Sequence, residues 1–244
     1  MSFLKRGFQS AALAASGRVS RVVFPTAIEF SPRYLEDRIV YVGTREHGLF
    51  RSNDAGQSFR QVWDAGNRYI FALATIQGTS LLLALLPDGV RRSQNNGETW
   101  VPAAPGAPGH QTALVVSPAF HKDATLFTSG PGGLHRSRDG GTTWTVLNPS
   151  FISGIALSPD FGSDGTMLVH VRGVGLFRST DAGDTFEHLP GRADTPDPAF
   201  CTPMCFPDST TLIRFSPRFG QDRTVIAASM ADVYVSSDAG LSWS

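Results

Sequence analysis

The sequence is poor in cysteine and has no apolar run approaching the roughly 18 residues that span a bilayer. Its two cysteines, Cys201 and Cys205, stand four apart. They are too few for a disulfide framework, and no second pair completes a zinc site. An excess of either charge is missing as well. Lys and Arg together number 21, Asp and Glu 21, and the formal net charge is zero. That excludes the broad basic field of a general nucleic-acid binder and equally an acidic solvating tail. Lys5, Arg6 and the Ala12-Leu13-Ala14 stretch imitate parts of a secretion signal, but Gln9 and Ser10 interrupt its apolar centre, so no clear signal peptide is read. No long segment has helical periodicity, and there is no His-x-x-x-His spacing, Gly-x-Ser-x-Gly elbow or phosphate-binding glycine loop after a strand.

What is present is a repeat. An apolar fraction of 41% supports a sizeable core, and the 25 glycines and 16 prolines recur at fixed points instead of filling one tract. The same octad occurs five times, with Ser, then Asp or Asn, then Gly, then Ser or Thr at alternate positions before a closing ring. The copies begin at Ser52, Ser93, Ser137, Ser179 and Ser236 and close on Phe59, Trp100, Trp144, Phe186 and Trp243. Their third residues, Asp54, Asn95, Asp139, Asp181 and Asp238, follow at intervals of 41, 44, 42 and 57 residues. A period near 42 with one insertion is the spacing of a four-stranded propeller blade.

A second motif keeps step with the first. Ser-Pro, an aromatic and an Asp recur at Ser31/Tyr34/Asp37, Ser117/Phe120/Asp123, Ser158/Phe161/Asp164 and Ser216/Phe219/Asp222. Each closing Asp precedes the octad Asp by 16 or 17 residues, and only the second unit lacks the motif. Short apolar runs of strand length lie between, so each unit is expected to be four strands, A to D, in an essentially all-β chain. The Ser-Pro motif should turn A into B, and the octad C into D. The octad residues explain a hairpin and no reaction. An Asp carboxylate closes an Asx-type loop on backbone N–H groups, Gly supplies positive φ, and the ring fills the space between sheets. Tyr34, Phe120, Phe161 and Phe219 are expected to pack between blades. Asn95 is expected to give a slightly weaker turn.

These octads resemble the Asp-box, or bacterial neuraminidase repeat, and the resemblance covers nearly the whole chain after about Thr26. With the Ser-Pro motif the sequence is most similar to sortilin-like and photosystem-II-assembly-factor-like repeat proteins, in a wider group that includes sialidases and xyloglucan-active glycoside hydrolases. The resemblance implies a β-propeller and an extracytoplasmic setting. It implies no single activity, because enzymes and pure binders share the box. A sialidase would need three arginines on the substrate carboxylate, a Tyr nucleophile with a Glu partner, and an Arg-Ile-Pro-like segment, which this chain lacks.

The expected architecture is therefore residues 1–17 as an N-terminal arm and 18–244 as a single Asp-box propeller. It most simply has five four-stranded antiparallel blades closed by an N-terminal strand, Val19 to Phe24, alongside Val233-Tyr234-Val235. Function is expected on the irregular B–C and D–A loops, since variable loops on a rigid scaffold are its usual location. The candidate binding residues are Arg45, His47, Arg68, Tyr69, His110, Arg172 and Arg192, together with Arg214, which sits on an inner strand. The leading expectation is a non-enzymatic scaffold for a protein or carbohydrate partner, without catalytic residues, metal, cofactor, nucleic acid or a membrane span. The alternatives are a sialidase-like glycoside hydrolase with acids from the loops, such as Glu46, Asp88, Asp194 or Asp197, and a fragment of a longer propeller.

Overall fold

The computed structural model describes residues 23–102, 109–189, 212–228 and 233–244. It divides into two compact units, Met1–Gly109 and His110–Ser244. In the first, β1 (Pro25–Phe30), β2 (Val40–Thr44), β3 (Leu49–Ser52) and β4 (Arg60–Trp63) form one sheet. β5 (Ala72–Thr75), β6 (Leu82–Leu86), β7 (Gly89–Ser93) and β8 (Val101–Pro102) form a second. In the other unit, the third sheet holds β9 (Ala113–Val116), β10 (Leu126–Gly130), β11 (Gly133–Ser137) and β12 (Thr145–Asn148). The fourth holds β13 (Ile152–Leu157), β14 (Met167–Val171), β15 (Gly175–Ser179) and β16 (Glu187–His188). The fifth holds β17 (Leu212–Phe215), β18 (Val225–Ala228) and β19 (Val233–Ser236). Every described pairing is antiparallel between strands consecutive in sequence, so each unit of the repeat folds as a meander.

The Ser-Pro turn is more structured than a plain reversal. Each copy winds one helical turn: α1 (Tyr34–Asp37), α2 (Phe120–Asp123), α3 (Phe161–Asp164) and α4 (Phe219–Asp222). The Ser31, Ser117, Ser158 and Ser216 hydroxyls donate to the closing Asp carboxylate at 2.6–2.7 Å. The other carboxylate oxygen accepts the backbone N–H two residues on, which fixes the entry into strand B.

Octads are locked in the same manner. In all five the Gly N–H donates to the first Ser hydroxyl at 2.8 Å. That hydroxyl donates to the Asp or Asn oxygen, which also accepts the N–H four residues on. Asn95 repairs the turn by reversing one polarity: its amide nitrogen donates to Thr99 Oγ1 at 2.9 Å, where an Asp would accept. Wherever both motifs occur, they are bonded to one another. Ala55, Gly140, Ala182 and Ala239 donate their N–H to the carbonyls of Arg38, Ala124, Gly165 and Arg223 at 2.9–3.0 Å. The second sheet, lacking the Ser-Pro motif, substitutes a Ser80 hydroxyl on the Gln94 carbonyl at 2.6 Å.

Within each unit the described cores lie between neighbouring sheets. Tyr41 and Leu49 of the first sheet bury against Leu73, Leu82, Ala84 and Leu86 of the second. Phe127 and Leu134 of the third meet Ile155, Phe161, Met167, Val169 and Val171 of the fourth. Leu168 and Leu176 of the fourth meet Ile213, Phe219, Val225 and Ala227 of the fifth. Phe161 and Phe219 thus take the inter-sheet positions expected of them, whereas Tyr34 and Phe120 are half-buried. Across each described junction runs an arginine from the residue before the octad serine. Arg51, Arg136 and Arg178 donate to the carbonyls of Asn96, Ala182 and Ala239 in the next octad, at 3.0, 2.7 and 3.4 Å. Octads therefore tie neighbouring sheets together as well as turning their own strands.

Candidate functional site

The loop end of the first unit gathers four of the sequence candidates. Arg45 and His47 occupy the turn between β2 and β3, and Arg68 and Tyr69 the connection between β4 and β5. The connection is held from both sides. Ile70 N–H donates to the Thr44 carbonyl at 3.1 Å, Phe71 N–H to the Leu85 carbonyl at 2.8 Å, and Thr26 Oγ1 to the Ile70 carbonyl at 2.6 Å. The turn itself is fixed by Thr44 Oγ1, which accepts the His47 N–H at 3.0 Å, while the His47 carbonyl accepts Gln61 Nε2 at 2.8 Å.

On this scaffold Arg68 and Arg91 both reach Asp88 Oδ2, at 2.9 and 2.6 Å. Two guanidinium groups on one carboxylate leave a net positive cluster with N–H donors to spare. Beside Arg68 in sequence, the Tyr69 ring stacks on Phe71 with centroids 4.5 Å apart. Arg45 is exposed, its Nε 3.9 Å from Glu46 Oε1. The arrangement sets a half-buried aromatic stack next in sequence to one of the two arginines on a fixed, doubly paired carboxylate.

In the second unit the candidates are dispersed over three sheets. His110 is exposed, and its carbonyl accepts the Gly132 N–H at 3.1 Å, beside the turn between β10 and β11. Arg172 lies in the turn between β14 and β15, with its guanidinium 4.9 Å from the Phe151 ring centroid. Arg214, on β17, turns back to its neighbour, Nη1 donating to the Ile213 carbonyl at 2.8 Å. Arg192, the two cysteines, Asp194 and Asp197 lie outside the described residues, as do Val19 to Val22.

Three features were not singled out from the sequence. Arg91 joins Arg68 on Asp88 only through folding. The arginine clamp had a signal, because Arg51, Arg92, Arg136 and Arg178 all precede the octad serine. The third is a Ser–His pair: Ser153 Oγ lies 2.6 Å from Nδ1 of His170, whose imidazole is pushed down to about 4 by burial.

The octad carboxylates are committed to their turns. Asp54 is held down to about 2 by the Ser52 hydroxyl, then by the Ser58 hydroxyl and N–H. Asp181 and Asp238 are also at about 2, chiefly through the Thr185 and Ser242 hydroxyls. Among the described residues no cluster of three His, Cys, Asp or Glu could hold a metal, and no helix is long and apolar enough to cross a membrane.

No protein-family model matches the chain, and no curated protein matches it. Solved structures do. An ancestral GH74 enzyme superposes with a TM-score of 0.67 at 17% identity, over 93% of this chain and 32% of its own. The GH74 xyloglucanase from Xanthomonas campestris gives 0.62 at 17% identity, over 84% of this chain and 35% of its own. The extracellular domain of a two-component system of B. thetaiotaomicron gives 0.65 at 12% identity, over 93% and 28%. At these identities the likeness is one of fold: an all-β, β-propeller-like arrangement of antiparallel three- and four-stranded sheets. The chain spans about a third of the length of these structures.

Proposed function

We propose that the chain is an Asp-box propeller scaffold that binds a protein or glycan partner through its irregular loop end, without catalysing a reaction. The observation that carries this reading is the division of labour within each sheet. Both repeated motifs are consumed in bonds to their own turns, to each other and to the next octad. The opposite end carries the residues that differ from unit to unit. In the first unit that end also has a built surface, the Arg68–Asp88–Arg91 cluster beside the Tyr69–Phe71 stack. The structural neighbours include a xyloglucanase and an extracellular domain of a two-component system, which favours a glycan or a secreted protein as the partner class.

We further propose that five blades make up the scaffold, with residues 18–244 as one propeller behind an arm of residues 1–17, and that an N-terminal strand completes the fifth. In the other four sheets the residue after the octad ring lies opposite the residue before the octad serine: Arg51 with Arg60, Arg92 with Val101, Arg136 with Thr145, Arg178 with Glu187. Ser244 takes this place in the fifth, exchanging N–H and C=O bonds with Val235 at 3.0 and 3.1 Å. This bridge supports a fourth strand that starts at Ser244 and is continued by Val19 to Phe24 beside Val233; Phe24 already gives its carbonyl to the Arg45 N–H of the first sheet.

Glycan-array and pull-down binding with the chain and an Arg68→Ala/Tyr69→Ala variant tests the functional reading. Binding that the double variant abolishes, at an unchanged melting temperature, is expected. Hydrolysis of a β-glucan or sialoside that Glu46→Gln or Asp88→Asn removes would replace the scaffold by an enzyme.

A further inference from the structure

The second octad is the one copy that sets an amide side chain directly before its glycine. Of the five asparagines in the chain, only Asn96 precedes a glycine, and the corresponding residues of the other octads are Ala55, Gly140, Ala182 and Ala239. Asparagine tolerates the left-handed conformation that this place demands, and Asn96 has φ +57°. It also brings a reaction that alanine and glycine lack. The Gly97 nitrogen can attack the Asn96 amide carbon and close a five-membered succinimide, its proton going to base and the side-chain nitrogen leaving as ammonia. Water then opens the ring on either side, giving aspartate or an isoaspartate whose main chain runs through the former side chain. Glycine is the follower that permits this most readily, because no Cβ keeps its nitrogen from the amide carbon.

The fold holds the reacting peptide at both ends. The Asn96 carbonyl accepts Arg51 Nη1 at 3.0 Å, and the Gly97 N–H donates to Ser93 Oγ at 2.8 Å. Ring closure requires that peptide plane to turn until the nitrogen faces the Asn96 side chain, so both bonds must break first. The side chain is tethered more loosely, Asn96 Oδ1 accepting the Tyr41 hydroxyl across the junction at 3.4 Å. Gly97 is buried, Tyr41 is 2% exposed and the Arg51 side chain 9%, so base and water are kept from the nitrogen while the two sheets are together. Arg51 and Tyr41 both belong to the first sheet. Within its own sheet the second octad is anchored less than the others: Ala55, Gly140, Ala182 and Ala239 give their N–H to a Ser-Pro turn, and the second sheet has no such turn.

From these contacts we infer that Asn96 is a site of spontaneous deamidation, held off by the closed junction between the first and second sheets and released when that junction opens locally. Its rate then follows the population of the open junction. The aspartate product can reclose on Tyr41 and Arg51. The isoaspartate cannot, because its link to Gly97 hangs from the former side chain and no longer spans Arg51 and Ser93.

Peptide mapping by mass spectrometry, on the full chain held at mildly alkaline pH with and without denaturant, tests the inference. In the unfolded chain Asn96 is expected to be the first asparagine to deamidate, and in the folded chain the same site should react more than about tenfold more slowly. Equal rates, or another asparagine reacting first in denaturant, overturn the inference. Arg51→Met removes the clamp on the Asn96 carbonyl, and Arg136→Met removes the matching clamp on the Ala182 carbonyl between the third and fourth sheets. The first should speed deamidation of the folded chain several-fold, and the second should leave it unchanged. Equal acceleration by both would make global unfolding the gate and overturn control by the local junction. A urea series below the unfolding transition decides the same point on the wild-type chain: local opening gives a rate that rises less steeply with urea than global unfolding does, and equal slopes overturn it. Isoaspartyl chains, separated by chromatography from aspartyl ones, should melt at a lower temperature. Equal melting would overturn the failure of the junction to reclose.

Discussion

The two ends of each sheet are built on opposite principles. At the octad end nearly every polar atom has an assigned partner within the repeat. Ser, Asp and Gly close one turn, Ser and Asp of the Ser-Pro motif close another, and a backbone bond joins the two. At the loop end the fixed points are few and particular, such as Ile70 on Thr44 and the two arginines on Asp88. A carboxylate with all its acceptors filled by its own turn is stability; a carboxylate holding two guanidinium groups, one exposed and one mostly buried, is not committed to its own turn. Chemical type alone would have ranked Asp54 and Asp88 equally.

The sharpest break of that contrast uses glycine. Gly97 has φ +84°, and a Cβ there would lie 2.7 Å from Leu49 Cδ2 and 3.2 Å from Leu82 Cδ2. Gly97→Ala combines left-handed strain with overpacking of a core between sheets and should cost about 3 kcal/mol. Gly66, in the connection between β4 and β5, has φ +68° and nothing within 4 Å of such a Cβ. Gly66→Ala should cost about 1 kcal/mol, from strain alone. Equal losses in chemical denaturation would mean that the octad end is no more tightly packed than the loops.

Removing a turn carboxylate comes next. Asp139 accepts the Ser137 and Thr143 hydroxyls and the Thr142 and Thr143 N–H groups. Asp139→Ala should destabilise by about 1–2 kcal/mol, the turn being open to water, and leave ligand binding by the folded fraction intact. Lost binding at an unchanged melting temperature would give the octads a role in recognition.

Much of this was legible in the sequence because the octad end repeats. Five copies in register with four Ser-Pro motifs define strands, hairpins and the phase of each sheet before any coordinate is known. The helical turn inside the Ser-Pro motif was less legible, since three of its left-handed closing residues, Arg38, Ala124 and Arg223, are not glycine. The loop end repeats nothing. Arg68 and Asp88 are 20 residues apart, and only the pairing of β6 with β7 brings Asp88 and Arg91 to the connection that carries Arg68. Ser153 and His170 are likewise joined by strand register, through a bulge between Ile152 and Gly154.

Acid separates the two ends by pH. Asp54, Asp181 and Asp238 sit at about 2 when folded, against an ordinary 3.8. Their contribution is complete above the unfolded value and is lost as pH falls through the folded one, so melting temperature should drop between about pH 4 and 2. Buried His170, at about 4 against 6.5, favours unfolding once the unfolded chain takes up a proton, so stability should already decline from pH 6.5 toward 4. His170→Gln should lessen the decline in the upper window, where His135, also held down by burial, keeps a share, and leave the lower one. A single decline confined to one window would remove one of the two assignments.

The smallest effect on stability should come from the surface on which the functional proposal depends most. Arg68 and Asp88 are each nearly half exposed, and an exposed ion pair contributes about 0–1 kcal/mol once side-chain entropy and salt screening are counted. Arg91, only 15% exposed, keeps Asp88 occupied when Arg68 is gone. Arg68→Ala should therefore shift the denaturation midpoint barely beyond error, and the shift should vanish in molar salt. Its cost should appear in partner affinity instead, because the guanidinium N–H groups not used by Asp88 are the ones left to a ligand. If Arg68→Ala destabilised the fold as much as Asp139→Ala does, the cluster would be a structural strut, and the distinction between the two ends would fail where it matters for function.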